Sequence, residues 1–261
     1  MNRTRLSRIR TRLFVILLFL SLVLPSCNPR QHVWGWYVVS PTTTQGQQNL
    51  KFLLAGLWMT VSLSVLAILI SVTLGLFVAL PGLSKNILLR SFNRVYVESF
   101  RSVPMLVMIL WVYYGLPVIL GIELGMFTAG LVALALCDSA FEAEIFRGGI
   151  QSIEQGQREA AYALGLSQYS TMRHVILPQA IRRVLPPLGN QFIYMLKMSS
   201  LVSVIGLSEL TRRASELNVT VYRPLEIYTV LVLEYLALIL IVSWLVRKME
   251  KRMGADMQRA K

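Results

Sequence analysis

Charge is scarce in this sequence. Only 15% of its 261 residues are Asp, Glu, Lys or Arg, against roughly 25% in an ordinary soluble domain. Histidine occurs twice, as His32 and His174, and cysteine twice, as Cys27 and Cys137. Two cysteines build no disulfide framework, and neither has the spacing of a metal site. The sequence has no GxxxxGK(S/T) phosphate loop, no HExxH, no CxxC and no nucleophile elbow, so it offers no ATP site of that kind and no hydrolytic centre. Neither a catalytic nor a metal-binding residue is assigned, and no cofactor is expected.

What is abundant is apolar surface: 55% of the chain is hydrophobic. Disorder is excluded, since that much surface demands burial. Several apolar runs approach the ~20 residues that cross a bilayer, so an all-α integral membrane protein is expected. The net charge is +13, from 26 Lys and Arg against 13 Asp and Glu. In a soluble protein this would suggest nucleic acid. In a membrane protein it fits cytoplasmic loops beside anionic lipid, so no nucleic-acid partner is expected.

Along the chain, Arg3, Arg5, Arg8, Arg10 and Arg12 precede the short apolar run Leu13–Leu24, which ends at Pro25-Ser26-Cys27. Residues 1–27 read as an anchor or a signal segment; proline before Ser26 makes a poor processing site, which favours the anchor, with lipidation at Cys27 left open. Residues 28–50 are polar and turn-rich and read as an extracytoplasmic linker, with Trp34, Trp36 and Tyr37 suited to a membrane interface. Five spans are expected in Phe52–Leu80, Pro104–Gly121, Met126–Phe146, Leu185–Leu207 and Ile227–Leu245. They form one transmembrane domain over 51–247, followed by a basic tail over 248–261. Gly121 and Gly125 have GxxxG spacing but fall at an expected loop, a weak basis for helix pairing.

Loop charge sets the orientation. With the N-terminus inside, segments 1–12, 81–101, 147–184 and 246–261 face the cytoplasm, and 26–51, 122–125 and 208–226 face outward. Twenty Lys and Arg then lie inside and five outside. Both ends are therefore expected in the cytoplasm.

The longest cytoplasmic loop, about 150–180, is the informative one. Gly156 and Gly165 bracket the helix-forming run Arg158–Leu164. Ala160, Ala161 and Leu164 are expected on one face, leaving room for another protein to approach. Gly165 permits a left-handed turn that ends the helix, and Pro178 suits the first turn of the next. Taken alone, such a segment also fits a merely solvated loop helix.

Its spacing resembles the EAA loop of ABC importer permeases. Glu159, Ala160, Ala161, Gly165, Leu177 and Pro178 match that pattern, and Val175 stands where isoleucine is usual. The resemblance covers about 50–247 and is closest to the polar amino acid subfamily (the histidine, glutamine and glutamate type). Phe52–Thr60, Val97–Pro104, Glu144–Ile153, Pro186–Phe192 and Ser200–Gly206 resemble segments of that subfamily. One departure stands out: Met198-Ser199-Ser200 follows Lys197 where many members carry Asp-Thr-Ser.

The resemblance implies a type I importer transmembrane domain of five core helices in the bacterial inner membrane. It implies a second permease subunit (the same or a related chain), two separate ATP-binding cassette subunits, an extracytoplasmic substrate-binding protein and an amino acid substrate. ATP hydrolysis would belong to the partner subunits, so the chain itself is not an enzyme. The residues expected to couple to the ATPase are Glu159, Ala160, Ala161, Leu164, Gly165 and Pro178.

Charges within apolar runs are costly and face a cavity or a partner. Asp138 and Lys197 are candidates for the translocation path, although Lys197 could equally snorkel. Glu142, Glu144 and Arg147 are expected to form a structural ion pair, and Glu234 a helix or subunit contact. Cys137 is expected in the packed interior. An ion-coupled secondary transporter would use the same buried charges and is the main alternative. It usually shows inverted internal repeats; none is visible here, and it leaves the loop spacing unexplained. A membrane scaffold that recruits a partner through the loop is the second.

Overall fold

The computed structural model describes residues 33–259, with side chains to residue 251. The arginine-rich start, Leu13–Leu24, Cys27, His32 and the end of the basic tail lie outside the described side chains. The chain separates into two units, Met1–Trp36 and Tyr37–Lys261. In the described part of the first, the Trp34 and Trp36 rings stack with centroids 6.2 Å apart.

The second unit is helical throughout its described residues, with no strand. Helix α1 is Thr44–Gly82, α2 is Ile87–Ser102, α3 is Met105–Leu120 and α4 is Met126–Gln151. Helix α5 is Gln155–Ala163, α6 is Gln168–Ile205, α7 is Leu210–Val221 and α8 is Pro224–Arg259. Among described residues, three helices are long and apolar enough to cross a bilayer, or five if each bent pair, α2 with α3 and α6 with α7, counts as one span.

The helices outrun the apolar segments that announced them. Helix α1 has 39 residues, a length of roughly 58 Å at 1.5 Å per residue, well beyond a ~30 Å hydrocarbon core. Residues 44–50, expected in the linker, are its first turns, capped by Thr43, whose hydroxyl accepts from the Gly46 N–H at 3.1 Å. The segment 81–101, expected as a loop, contains α2, which turns by 97° into α3. Likewise 208–226, expected as an outward loop, contains α7, bent 46° from α6. The tail continues α8 as backbone helix to Arg259.

Helices α1 and α4 meet along small residues. Ser64, Ala67, Ser71 and Gly75 recur at three- or four-residue intervals on α1 and are buried, while Gly56 and Thr60 before them face Leu210 of α7. Ala129, Gly130, Ala133, Cys137, Ala140 and Ala143 are buried on α4. Without a hydrophobic drive between helices in lipid, such stripes permit close van der Waals packing. A Cβ at Gly75 would lie 2.5 Å from the Glu142 Cβ and 2.9 Å from the Ser139 carbonyl oxygen. Gly121 and Gly125 take no part: a Cβ at either would meet nothing within 4 Å. Gly121 is instead a left-handed stop, with φ of 66°.

Helices α3 and α6 close the core with Ile109, Val112, Met195 and Val202. Both contain one π turn, Trp111–Gly115 and Met172–Ile176, each followed by Leu-Pro. In each, the leucine N–H reaches five residues back, Leu116 to Trp111 and Leu177 to Met172. Proline has no N–H and its ring crowds the preceding turn; a widened π turn accommodates both effects without ending the helix. Pro178 therefore lies within continuous α6 and does not open a new helix.

Candidate coupling site

The loop after α4 is built from local rules. Helix α5 ends in two nested bonds, Leu166 N–H to the Ala161 carbonyl at 3.1 Å and Gly165 N–H to the Tyr162 carbonyl at 2.9 Å. That is a Schellman stop. It requires a left-handed residue, and Gly165 has φ of +77°. Ser167 then caps the first turn of α6, its Oγ accepting from the Ser170 N–H at 3.2 Å.

The helix starts earlier than the glycine bracket suggested. Glu154 is its N-cap and Gly156 lies inside its first turn. Glu159 sits in the second turn, where its carboxylate accepts from Gln155 Nε2 at 2.7 Å, so it is not at the positive end of the helix dipole. Ala160, Ala161 and Leu164 do not share a face. Ala161 points inward at 3% exposure, whereas Leu164 is 81% exposed and Ala160 lies on the outer side with it. Successive residues turn by 100° and positions four apart align, which pairs Ala160 with Leu164 and turns Ala161 away. Tyr162 and Tyr169 are also exposed. The outer surface of the loop is thus apolar and aromatic, with Glu159 beside it.

Beneath it lies a small apolar cluster that the sequence reading missed. Ile150 comes from the last turn of α4, Ile153 from the turn that follows it, Ile176 and Ala180 from α6, and Leu83 and Val175 pack against them. Gln179 Nε2 donates to Gln157 Oε1 at 3.2 Å, tying α6 to α5. Arg183 donates to the Ser152 carbonyl. The available signal was the Ile150-x-x-Ile153 spacing at the end of an apolar helix. The cluster joins the end of α4 to α6, and the Gln157–Gln179 bond holds α5 to the same stretch of α6.

The intramembrane charges fall in different places. Asp138 is buried and accepts hydrogen bonds from Ser71 Oγ at 2.7 Å and from Gln191 Nε2. It thereby joins α1, α4 and α6 within one subunit. Lys197 is exposed, and among described residues no carboxylate lies within ion-pair distance of it; no contact joins it to Asp138. The two candidates for the path are not brought together. Glu144 and Arg147 form a bidentate pair at 2.6 and 2.9 Å. Glu142 is not part of it: among described residues its buried carboxylate has no hydrogen-bond partner. Glu142 and Glu144 are two residues apart and so project from opposite sides of α4. Glu234 also has no hydrogen-bond partner among described residues and lines a groove with Leu54, Leu57 and Leu238. Cys137 is buried. After Lys197, the Ser199 and Ser200 hydroxyls donate to carbonyls of Leu196 and Lys197 where the helix tightens to 3₁₀.

A loop helix presenting an apolar face and ending at a left-handed glycine, set between long packed spans, matches one family. Residues 71–255 fit the model of the binding-protein-dependent transport system inner membrane component. The chain belongs to this family. The permease is 38% identical over 205 residues to the glutamine transport system permease protein GlnP of Escherichia coli K12, covering 78% of this chain and 94% of the relative. It is 33% identical over the same coverage to the putative glutamine permease GlnP of Rickettsia typhi. Its fold matches a chain in a crystal structure of an amino acid ABC transporter with histidines, with a TM-score of 0.75, 42% identity and coverage of 79% and 96%. An inward-facing chain of the MetNI methionine ABC transporter matches at a TM-score of 0.67 and 22% identity, which shows the fold alone. The permease is an inner-membrane component, and family membership sets aside the ion-coupled transporter and the scaffold.

Proposed function

We propose that this permease carries a polar amino acid inward, driven by separate ATPase subunits that dock on α5. Its likeness to GlnP over nearly the whole of that protein supports the substrate class. In this reading a second permease subunit, the same or a related chain, completes the pathway, and an extracytoplasmic binding protein delivers the substrate. Hydrolysis of ATP takes place on the partner subunits.

The observation that carries the coupling is the exposed surface formed by Tyr162 on α5, Leu164 at its C-cap and Tyr169 in the first turn of α6, with Gln157 of α5 hydrogen-bonded to Gln179 of α6. Coupling needs a physical element that both sites bias. A partner that pushes on the exposed face moves the start of α6, and the Ile150, Ile153, Ile176 and Ala180 cluster passes that motion to the end of α4. Asp138, locked to Ser71 and Gln191, keeps α4 and α6 moving with α1 as one body. The Glu144–Arg147 pair braces the cytoplasmic end of α4.

The test is reconstitution. The chain, purified with its co-expressed ATPase and binding protein, is placed in vesicles and supplied with labelled glutamine, histidine or a neutral sugar. ATP-dependent uptake of an amino acid and not of the sugar supports the reading. Uptake that proceeds without ATP, or a chain that retains no ATPase, overturns it.

A further inference from the structure

Helix α2 has three faces. Asn93, Val97 and half-buried Tyr96 face the protein, with Asn93 Nδ2 donating to the Val78 carbonyl at 2.7 Å and Tyr96 hydrogen-bonded to Ser139 at 2.8 Å. Leu88, Phe92 and Val95 are 75%, 58% and 64% exposed on a second face. Arg90, Arg94, Glu98 and Arg101 occupy the third, one helical turn apart along it.

The charged face borders a cavity of about 360 Å³, whose wall includes Arg90, Arg94, Glu98, Arg101, Glu144 and Arg147. That volume holds on the order of ten waters. Glu144 is already taken by Arg147, and the Arg101 guanidinium lies 5.1 Å from the Phe141 ring centroid. Among described residues, Arg90 and Arg94 have no hydrogen-bond or carboxylate partner for their guanidinium groups. The cavity thus has an excess of cationic donors that nothing among the described residues satisfies. Arginine forks match the oxygens of a phosphate.

The neighbouring apolar face decides the source of that phosphate. A soluble anion leaves Leu88, Phe92 and Val95 in water. A helix bent 97° from the next span, apolar on one side and basic on another, lies in the plane of the bilayer interface. Loop charge places it on the cytoplasmic side, where the leaflet is anionic. We propose that Arg90 and Arg94, on the wall of this cavity, bind the phosphate of an anionic phospholipid, whose acyl chains lie against Leu88, Phe92 and Val95. The assignment concerns lipid alone and stands whether or not amino acids are the cargo.

The test is titration of the delipidated full-length chain with phosphatidylglycerol and with phosphatidylcholine, read by native mass spectrometry. Phosphatidylglycerol is expected to bind roughly tenfold more tightly or better. Arg90→Gln with Arg94→Gln is expected to weaken it by roughly thirtyfold, two charges at the membrane surface being lost. The charge-matched pair Arg158→Gln and Arg182→Gln should change it by less than about twofold, since both lie away from the cavity. Arg90→Lys with Arg94→Lys keeps the charge, loses the fork, and should fall between; it serves if the glutamine pair yields no monodisperse protein. Equal binding of the two lipids overturns the proposal, as does an equal loss in the control pair. Displacement of phosphatidylglycerol by millimolar inorganic phosphate assigns the cavity to a soluble anion and overturns the lipid assignment.

Discussion

Gly75 and Gly165 are both required glycines, for opposite reasons. At Gly75 the backbone is ordinary helix and space is missing: Glu142 and the Ser139 carbonyl stand where a Cβ would go. At Gly165 space is free, with nothing within 4 Å of a Cβ, and the backbone is left-handed. The first glycine serves the contact between α1 and α4 inside one subunit. The second serves a turn that presents a surface outward. One region is sealed by packing; the other is open and, in the proposed coupling, is where a partner meets the chain.

Substitutions separate the two. Gly75→Leu should have the largest effect on the molecule itself. Overpacking a closed helix contact costs roughly 3 kcal/mol, so the folded yield in membranes should collapse, as read by size-exclusion profile. Gly165→Asp should leave that yield intact, because the strain of a side chain at positive φ is only about 1 kcal/mol and is local. It should nonetheless abolish ATPase retention and uptake. Normal transport by an abundant Gly165→Asp variant breaks the comparison.

Asp138→Ala sharpens the first region. It leaves the Gln191 amide without that acceptor and turns the Ser71 hydroxyl back to the Ile68 carbonyl, 3.1 Å away, at a cost of about 1 kcal/mol, and should lower the midpoint of thermal aggregation. Asp138→Asn keeps an acceptor and should recover most of it. A loss of uptake with an unchanged midpoint in Asp138→Ala would instead place this residue on the path. Glu159→Ala should have the smallest effect. It removes one exposed bond to Gln155, worth about a twofold change in helix population, so ATPase retention should weaken slightly. Total loss of the ATPase would give Glu159 a direct contact in the assembly.

The legibility of these regions follows the same division. The stop at Gly165 was readable because a Schellman turn is a local demand on one residue's backbone. The apolar runs marked where spans lie but not where helices end, since hydropathy records the bilayer and capping records the helix. Thr43 and Glu154 set starts that no apolar pattern shows. The π turns before Leu116-Pro117 and Leu177-Pro178 were hidden because a proline inside an apolar run reads as a boundary. The lone position of Glu142 was readable: its two-residue offset from Glu144 excludes a shared partner. The Ser71–Asp138–Gln191 bridge was not, because it joins residues 67 and 53 positions apart, and no local rule sets such a pairing.

The central claim is that α5 is where the ATPase seats. Leu164→Cys places a thiol at the exposed C-cap of that helix, while native Cys137 is buried and Cys27 is carried equally by the control. The variant, co-expressed with the ATPase, is labelled with a short photoactivatable maleimide and irradiated in membranes, with the unsubstituted chain as control. A covalent adduct between permease and ATPase, absent from the control, is the predicted result. An intact complex that retains the ATPase yet gives no adduct from Leu164→Cys would contradict the account.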